Sequence, residues 1–550
     1  MDAMRIALGQ INTTVGDLTG NRKLIEDTLQ KAETAKSDLL VLPEMAITGY
    51  PPMDLLERGG FVEDQLIELE RICQIKTPVA VALGVVMPSE PRDGKVLENC
   101  AVLIRGGKIE VAQAKSLLPT YDVFDEKRYF APATQRSLIS WSENQRVGMS
   151  ICEDAWVDQV PYGLDPIGDL AARGANVVLN LSASPWHAEK PQTRRSMLAN
   201  LAKAHDTAIV FVNQVGGNDE LIFDGGSFVV SPQGKYLGQS KLFEPDLRVV
   251  ELENPDQSLQ TDQSPEPQAV AQLEKALVLG VKDYFRKQGL PPGAVIGLSG
   301  GIDSAVTAHI AVRALTKERV LGIAMPGPFS SEHSVDDALE LGRQLGIQTQ
   351  VVDIRPTYEA YTQVFEKLFG TKDNYGIAQQ NIQSRIRGSI LMAVSNAENR
   401  LVLATGNKSE LSIGYCTLYG DTVGGLAVLG DVYKRDVYAL ARFANHNGTL
   451  IPQNTIDKPP SAELAPDQFD TDDLPSYDIL DAVLAQTIEG STEKLPTEAD
   501  NRTIDQIRQR LDRNEYKRRQ SPLVLRVSNK AFGTGRRLPI VHKYDFRLTS

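Results

Sequence analysis

Four cysteines in 550 residues, at positions 73, 100, 152 and 416, neither reach the density of a disulfide scaffold nor form a C-x-x-C pair for zinc. A reducing compartment follows. No apolar run approaches the length of a membrane span, and the opening MDAMRIALGQ has no charged leader ahead of an apolar region, so the expected location is cytoplasmic. Positive charge is also short: 58 Lys and Arg against 71 Asp and Glu give a net charge of −13, which argues against a sequence-independent hold on nucleic acid or anionic membrane. What is present suffices for packed cores, since 42% of residues are hydrophobic and the length suits two large domains or three ordinary ones.

In the first half, short β-branched runs alternate with helical patterns: a strand over 4–8, a helix over 21–36, a strand over 39–42. A layered α/β domain is expected. The strand 39–42 runs into Pro43-Glu44, which delivers a carboxylate at the end of a buried strand. The strand-like 109–114 leads into Lys115. A third apolar strand stops at Cys152 and is followed by two acids, Glu153 and Asp154, which places the sulfur near an exposed edge. Taken singly, Glu44 also reads as a solvated residue after a strand, Lys115 as a surface charge and Cys152 as a small core residue. Together they hold a base, a cation for a developing oxyanion, and a nucleophile.

From 254 to 268 the apolar periodicity gives way to Pro, Gln, Ser and Asp, a linker by composition. It divides a domain over 1–253 from one over 269–550. The second half opens with a helix over 269–287. A strand over 294–298, the turn GLSGGIDS over 297–304, a helix, a strand over 319–325, a helix over 334–345 and a strand over 348–354 follow. Such alternation implies a parallel sheet with ligands beyond the carboxyl ends of its strands. In Gly297-Leu298-Ser299-Gly300-Gly301-Ile302-Asp303-Ser304, unpaired N–H groups at a helix start suit a phosphate, and glycine allows close approach. Tight turns and helix caps use the same residues, so the local chemistry also fits a plain turn. No Walker lysine is present. Asp303 beside an anion site makes sense with Mg²⁺ between it and the phosphates. A helical segment over 377–399 contains Asn381, and a strand over 401–404 leads into a second turn, Thr405-Gly406-Asn407-Lys408-Ser409-Glu410, whose Glu410 would be a second magnesium ligand. The loop 326–331 also sits at a strand end, facing the nucleotide or simply connecting strand to helix.

Three resemblances refine this reading. GLSGGIDS resembles the SGGxDS loop of the ATP pyrophosphatases, which join AMP to an oxygen and release pyrophosphate. LPEMAITGYPPMDLL, KSLLPTYDVFDEKRYF, ICEDAW, NLSASPW and GGNDELIFDGGSFVVSPQG resemble, in order, the nitrilase or carbon–nitrogen hydrolase superfamily. That likeness implies a four-layer α-β-β-α sandwich with Glu44, Lys115 and Cys152 as triad and Glu126 in support. Its glutamine-using branch implies Tyr121, Ser184 and Lys190 as L-glutamine contacts. ATGNKSELSIGYCTLYGD, GDVYKRDVY, PPSAEL and EYKRRQSP resemble the NAD⁺ synthetase family, with Ala427-Val428-Leu429 a departure bearing on packing. The likeness implies a doubly wound, Rossmann-like parallel sheet that binds ATP through 297–304 and Thr405. Deamido-NAD⁺ contacts would be Asn381, Glu410 and Lys517 in the basic run 517–519, and the metal ligands Asp303 and Glu410. The implied reaction is ATP-dependent amidation of deamido-NAD⁺ with ammonia from glutamine through an adenylate, releasing AMP and pyrophosphate. A different carboxylic acid substrate is the alternative. A homo-oligomer and a water-poor ammonia passage are further expectations.

Overall fold

The computed structural model describes residues 4–157, 159–252, 268–372, 374–466 and 468–544. The chain folds as two compact units, Met1–Glu266 and Pro267–Ser550. The expected linker, apart from residue 268, lies outside the described residues.

The first unit contains two six-stranded sheets. One runs in the order Asp246–Glu251, Arg5–Gln10, Leu39–Val41, Ala80–Arg92, Lys95–Arg105, Lys108–Ala114; the other Tyr236–Gln239, Phe228–Val230, Ala208–Asn213, Val177–Ser182, Arg146–Ile151, Leu138–Ser140. Both are parallel at the centre and antiparallel towards the edges. Successive strand residues face opposite sides, so a strand buried on both faces must be apolar throughout. Ile6, Leu8, Leu39 and Val41 meet Met149, Ile151, Leu179, Leu181 and Val210 between the sheets. The alternate residues Ala7 and Leu40 pack instead on Ile25 and Leu29 of the helix Leu18–Thr34 and on Leu69 of the helix Phe61–Cys73. On the far side, Val178, Ile209 and Phe211 pack on Leu170 of Pro166–Ala172 and on Met197 and Leu198 of Lys190–Ala204. This is the expected α-β-β-α sandwich.

The second unit is built on one parallel sheet of order Gln348–Val351, Val320–Ala324, Gly293–Gly297, Arg400–Ala404, Leu426–Ala427, Leu523–Val524. Val295, Leu321 and Ile323 pack on Tyr358, Ile382 and Ile386 of the helices Arg355–Phe369 and Ile377–Glu398. The helix Ile302–Leu315 also packs on the Gly293–Gly297 strand. Strand order reverses beside Gly293–Gly297, so its carboxyl end and that of Arg400–Ala404 flank the switch point where such sheets bind ligands. A helical layer not expected from the sequence, Tyr477–Glu489 with Asn501–Arg513, covers Leu411 and Ile413 behind the second turn. Val428 and Leu429 are fully buried, so the departure at 427–429 is accommodated by packing. Among the described residues no helix is long and apolar enough to cross a membrane.

Candidate active sites

In the first unit, chain topology delivers three side chains to one buried point. Glu44 follows Leu39–Val41, Lys115 follows Lys108–Ala114, and Cys152 follows Arg146–Ile151. The Glu44 turn is strapped to the neighbouring strand by Ala46 N–H to Gly84 O and Gly84 N–H to Pro43 O, at 2.8 and 3.0 Å. Gly84 is required there, because a Cβ would lie 2.2 Å from Met45 N and 2.5 Å from Glu44 Cα. Cys152 itself sits at φ 38°, a left-handed conformation that costs a non-glycine residue of order 1–3 kcal/mol and that recurs at functional sites.

Lys115 Nζ donates to Glu44 Oε1 and Glu126 Oε1, each at 2.8 Å. Asn99 Nδ2 donates to Glu44 Oε1 at 2.7 Å, Ala183 N–H to Glu44 Oε2 at 3.0 Å, and Tyr50 O–H to Glu126 Oε1 at 2.9 Å. Burial disfavours the Lys115 ammonium, but the charges of Glu126 and Glu44 outweigh it and hold its pKa well above the usual range. Burial pushes the Glu126 carboxyl up to about 7 despite Lys115. Burial and the charge of Glu44 both raise the Cys152 thiol, with Lys115 pulling the other way. The resting sulfur is therefore a thiol, and a base must take its proton as it reacts.

Cys152 is 6% exposed and the two following acids are buried, which overturns the expected exposed edge. Each acid has a structural task that alternation alone does not reveal. Asp154 Oδ1 accepts Ser116 N–H and Leu117 N–H at 2.9 and 2.8 Å, and its Oδ2 accepts Ile151 N–H at 3.0 Å, so it ties the Lys115 loop to the cysteine strand. Glu153 accepts from Tyr121 O–H at 2.9 Å and Tyr162 O–H at 2.7 Å. Burial raises Glu153, opposed by Tyr162, Lys115 and, less, Lys190. Lys190 lies 3.8 Å over the Trp156 ring. Ser184 is buried at the end of Val177–Ser182. Glu126 thus lies against Lys115, and Tyr121, expected as a glutamine contact, lies against Glu153 beside Cys152, whereas Asn99 and Tyr162 had no motif to announce them.

In the second unit, a cavity of about 650 Å³ opens at the carboxyl end of the sheet, lined by the 297–304 turn, Thr405, Asn381, Glu410 and Lys517. Gly301 caps the Ile302–Leu315 helix, and Ser304 Oγ donates to Gly301 O at 2.9 Å while Ser299 Oγ accepts Gly301 N–H at 3.2 Å. Gly300 has φ +73°, and a Cβ on it would lie 2.3 Å from Ser334 O. Asn407 caps the next helix through Glu410 N–H at 3.0 Å and donates to Asp303 Oδ1 at 2.9 Å, which joins the two turns.

Lys434, not singled out from the sequence, stands between the two expected metal ligands: its Nζ is 2.5 Å from Asp303 Oδ2 and 3.3 Å from Glu410 Oε1. Burial pushes Glu410 up to about 8, with Lys434 opposing and Asp303 and Asp470 adding to the rise. The carboxylates outnumber the ammonium, so the donor set suits one more hard cation. Among the described residues no group of three or more His, Cys, Asp or Glu could hold a metal by itself, so phosphate oxygens and water would complete the shell. Asn381 Oδ1 accepts from Thr417 Oγ1 at 2.9 Å, and Lys517 Nζ donates to Gly414 O and Cys416 O at 2.7 and 2.8 Å. The run 517–519 does not act as one basic patch: Arg518 is buried against Glu515 and the carbonyls of Leu411 and Ser412.

Residues 5–256 match the family model described as carbon-nitrogen hydrolase, and residues 273–521 the one described as NAD synthase. The chain is 45% identical over 553 residues to the glutamine-dependent NAD(+) synthetase of Synechocystis sp., covering 98% of this chain and 99% of that protein. It is 37% identical over 582 residues to the protein of the same description from Thermotoga maritima, with 99% of each covered. Among solved structures it is similar to a glutamine-dependent NAD⁺ synthetase from Acinetobacter baumannii in complex with ADP, at TM-score 0.78, 36% identity and 98% of each chain. It shares the fold of a glutamine-dependent NAD(+) synthetase from Cytophaga hutchinsonii, at TM-score 0.81, 22% identity and 98% of each chain.

Proposed function

This chain belongs to the glutamine-dependent NAD(+) synthetase family, and we propose how its residues divide the reaction, the amidation of deamido-NAD⁺ to NAD⁺ with nitrogen from glutamine. Residues 1–253 form the glutaminase, 254–268 the linker and 269–550 the synthetase. Cys152 Sγ attacks the side-chain amide carbon of glutamine while Glu44 accepts the thiol proton and returns it to the departing ammonia. Lys115, held between Glu44 and Glu126, carries the oxyanion, and water activated by Glu44 then cleaves the thioester. Tyr121, Ser184 and Lys190 hold the α-amino-acid end.

In the synthetase the nicotinate carboxylate of deamido-NAD⁺ attacks the α-phosphorus of ATP, the co-substrate. Backbone N–H groups of 297–304 and Thr405 hold the phosphates, and Lys434 adds positive charge beside them. Pyrophosphate leaves, and ammonia then displaces AMP from the acyl-adenylate. Asn381, Glu410 and Lys517 contact deamido-NAD⁺. Asp303 and Glu410 would hold Mg²⁺, which when bound neutralises charge on the phosphates. Exposed Leu368, Phe369 and Ile377, 67%, 53% and 72% accessible, support a homo-oligomer, and four free cysteines fit a reducing, cytoplasmic location.

The observation that carries the reading is the pair of separate constellations, a buried Glu–Lys–Cys centre and a glycine-turn cavity with an Asp–Lys–Glu cluster, on one chain. Incubation with ATP, Mg²⁺, glutamine and deamido-NAD⁺ should yield AMP with NAD⁺; ADP as product would refute adenylation. Cys152→Ala should lose glutamine-driven synthesis and keep ammonium-driven synthesis.

A further inference from the structure

Arg194 and Asp224 form an ion pair at 2.5 Å whose side chains are 2% and 0% exposed. Such a pair adds little stability that packed apolar residues would not supply, so what it holds in place becomes the question. Asp224 Oδ1 accepts Asn213 Nδ2 at 3.2 Å, and Asn213 Oδ1 in turn accepts Ser184 N–H at 2.9 Å. Asn213 Nδ2 also donates to Gly225 O at 3.1 Å. The carboxylate thereby fixes which way the Asn213 amide faces: its oxygen can meet Ser184 N–H only while its nitrogen faces Asp224. Arg194 lies one helical turn beyond Lys190 on Lys190–Ala204, so the same carboxylate that orients Ser184 also anchors the helix that begins with Lys190. The positive charge of Lys190 acts on both Asp224 and Glu153, which puts its ammonium within electrostatic reach of the anchor and of the residue beside Cys152.

We propose that Asp224, with Arg194 and Asn213, positions the α-amino-acid clamp for glutamine by fixing Ser184 at a strand end and Lys190 at a helix start in one frame. The inference rests on the reading that Ser184 and Lys190 hold glutamine. Glutamine offers an ammonium, a carboxylate and a reacting amide, and a clamp that shifts against Cys152 loses the first two before it affects the third. The anchor therefore governs recognition more than the chemistry of Glu44, Lys115 and Cys152, because Glu44 is also held by Lys115 and Asn99 as well as by Ala183 N–H beside Ser184.

The test is glutaminase kinetics on the full chain carrying Asp224→Asn. The KM for glutamine should rise about tenfold, the equivalent of one lost charge-assisted hydrogen bond, with kcat at saturating glutamine within about threefold of wild type. Asp224→Asn leaves Arg194 buried and unpaired, so the double variant R194M/D224N, which removes both charges, is measured beside it. A raised KM in both variants supports positioning; a return to wild-type KM in the double variant would show that the unpaired charge alone was responsible and overturn the proposal. A fall in kcat matched by a fall in melting temperature, without a KM change, would overturn it too. S184A and K190A separate the two levels. If they leave glutamine KM unchanged, the glutamine-site reading itself fails; if they raise it and D224N does not, only the positioning inference fails.

Discussion

Gly300 and Gly301 are adjacent, belong to the same turn, and should respond to the same small change to very different degrees, which makes them a direct test of how this turn works. At Gly300, φ is +73° and an added Cβ would lie 2.3 Å from Ser334 O and 2.9 Å from Ser334 Cα. The left-handed conformation alone costs an alanine about 1–2 kcal/mol. The overlap demands roughly a further ångström of movement, and the opposing atom is backbone. Ser334 cannot retreat cheaply, because its hydroxyl donates to Glu463 Oε1 at 2.6 Å and accepts from Ser331 Oγ at 3.0 Å. The movement therefore falls on the turn. Displacing reacting groups by about 1 Å costs on the order of a hundredfold in rate. At Gly301, φ is −88° and the nearest atom to an added Cβ is Ser299 Oγ at 3.1 Å, a hydroxyl that can rotate. Gly300→Ala should thus lower ammonium-driven NAD⁺ synthesis by about a hundredfold, and Gly301→Ala by less than about tenfold. Glutaminase activity should persist in both, and a melting profile like that of the wild type checks that the second unit has folded. Equal activities of the two variants would refute the argument from backbone geometry.

Gly84→Ala should abolish glutaminase, since the new Cβ would displace the Glu44 turn, while ammonium-driven synthesis continues; retained glutamine hydrolysis would refute the close-approach argument. Asp154→Asn keeps one acceptor for Ser116 and Leu117 but presents N–H to Ile151 N–H or to them, so glutaminase kcat should fall about tenfold or more, measured as ammonia released at saturating glutamine. Glu410 gives a pH prediction. A carboxyl whose folded-state pKa of about 8 lies above its unfolded value binds its proton more tightly when folded, so its contribution is present at low pH and is lost as pH rises towards 8. The stability of the ligand-free protein should therefore decline from pH 5 to 8 by up to about 1.4 kcal/mol per pH unit from this proton, and Glu410→Gln should flatten that slope in melting curves.

Elements with a strong period were readable from the chain to within a few residues: the strand expected over 294–298 is Gly293–Gly297, and the helix expected over 377–399 is Ile377–Glu398. Residues at the ends of apolar strands, such as Glu44, Cys152 and Thr405, were readable as candidates for the same reason, because a strand end in an α/β layer points at the ligand side. What was not readable depended on three-dimensional pairing. Lys434 opens the helix Lys434–Ala444 with only the short strand Leu426–Ala427 before it, and only the packed unit brings it to Asp303, 131 residues away. The two acids after Cys152 suggested an exposed edge, because charges after a strand usually are exposed; three backbone N–H groups from two segments make Asp154 a buried acid. Arg518 misled in the opposite direction, since its five donors are used by carbonyls and Glu515 that lie next to it only after folding.

The two centres share an electrostatic plan that neither motif states. Lys115 stands between Glu44 and Glu126, and Lys434 between Asp303 and Glu410, each ammonium at hydrogen-bonding or ion-pair distance from both acids. One positive charge between two negative ones leaves a deficit, and burial makes that deficit costly, which is why Glu126 rises to about 7 and Glu410 to about 8. In the first centre burial, and after it the charge of Glu44, push the neighbouring Cys152 thiol up while Lys115 pulls the other way, so under the proposed mechanism the thiol proton passes to Glu44 only during attack. In the second the same deficit creates demand for added positive charge, which a nucleotide accompanied by a hard cation would satisfy. A lysine shared by two carboxylates thus stands beside a cysteine at φ 38° in one unit and beside a glycine turn at a helix start in the other, so the same arrangement of charge faces a thiol in the first and an open cavity in the second.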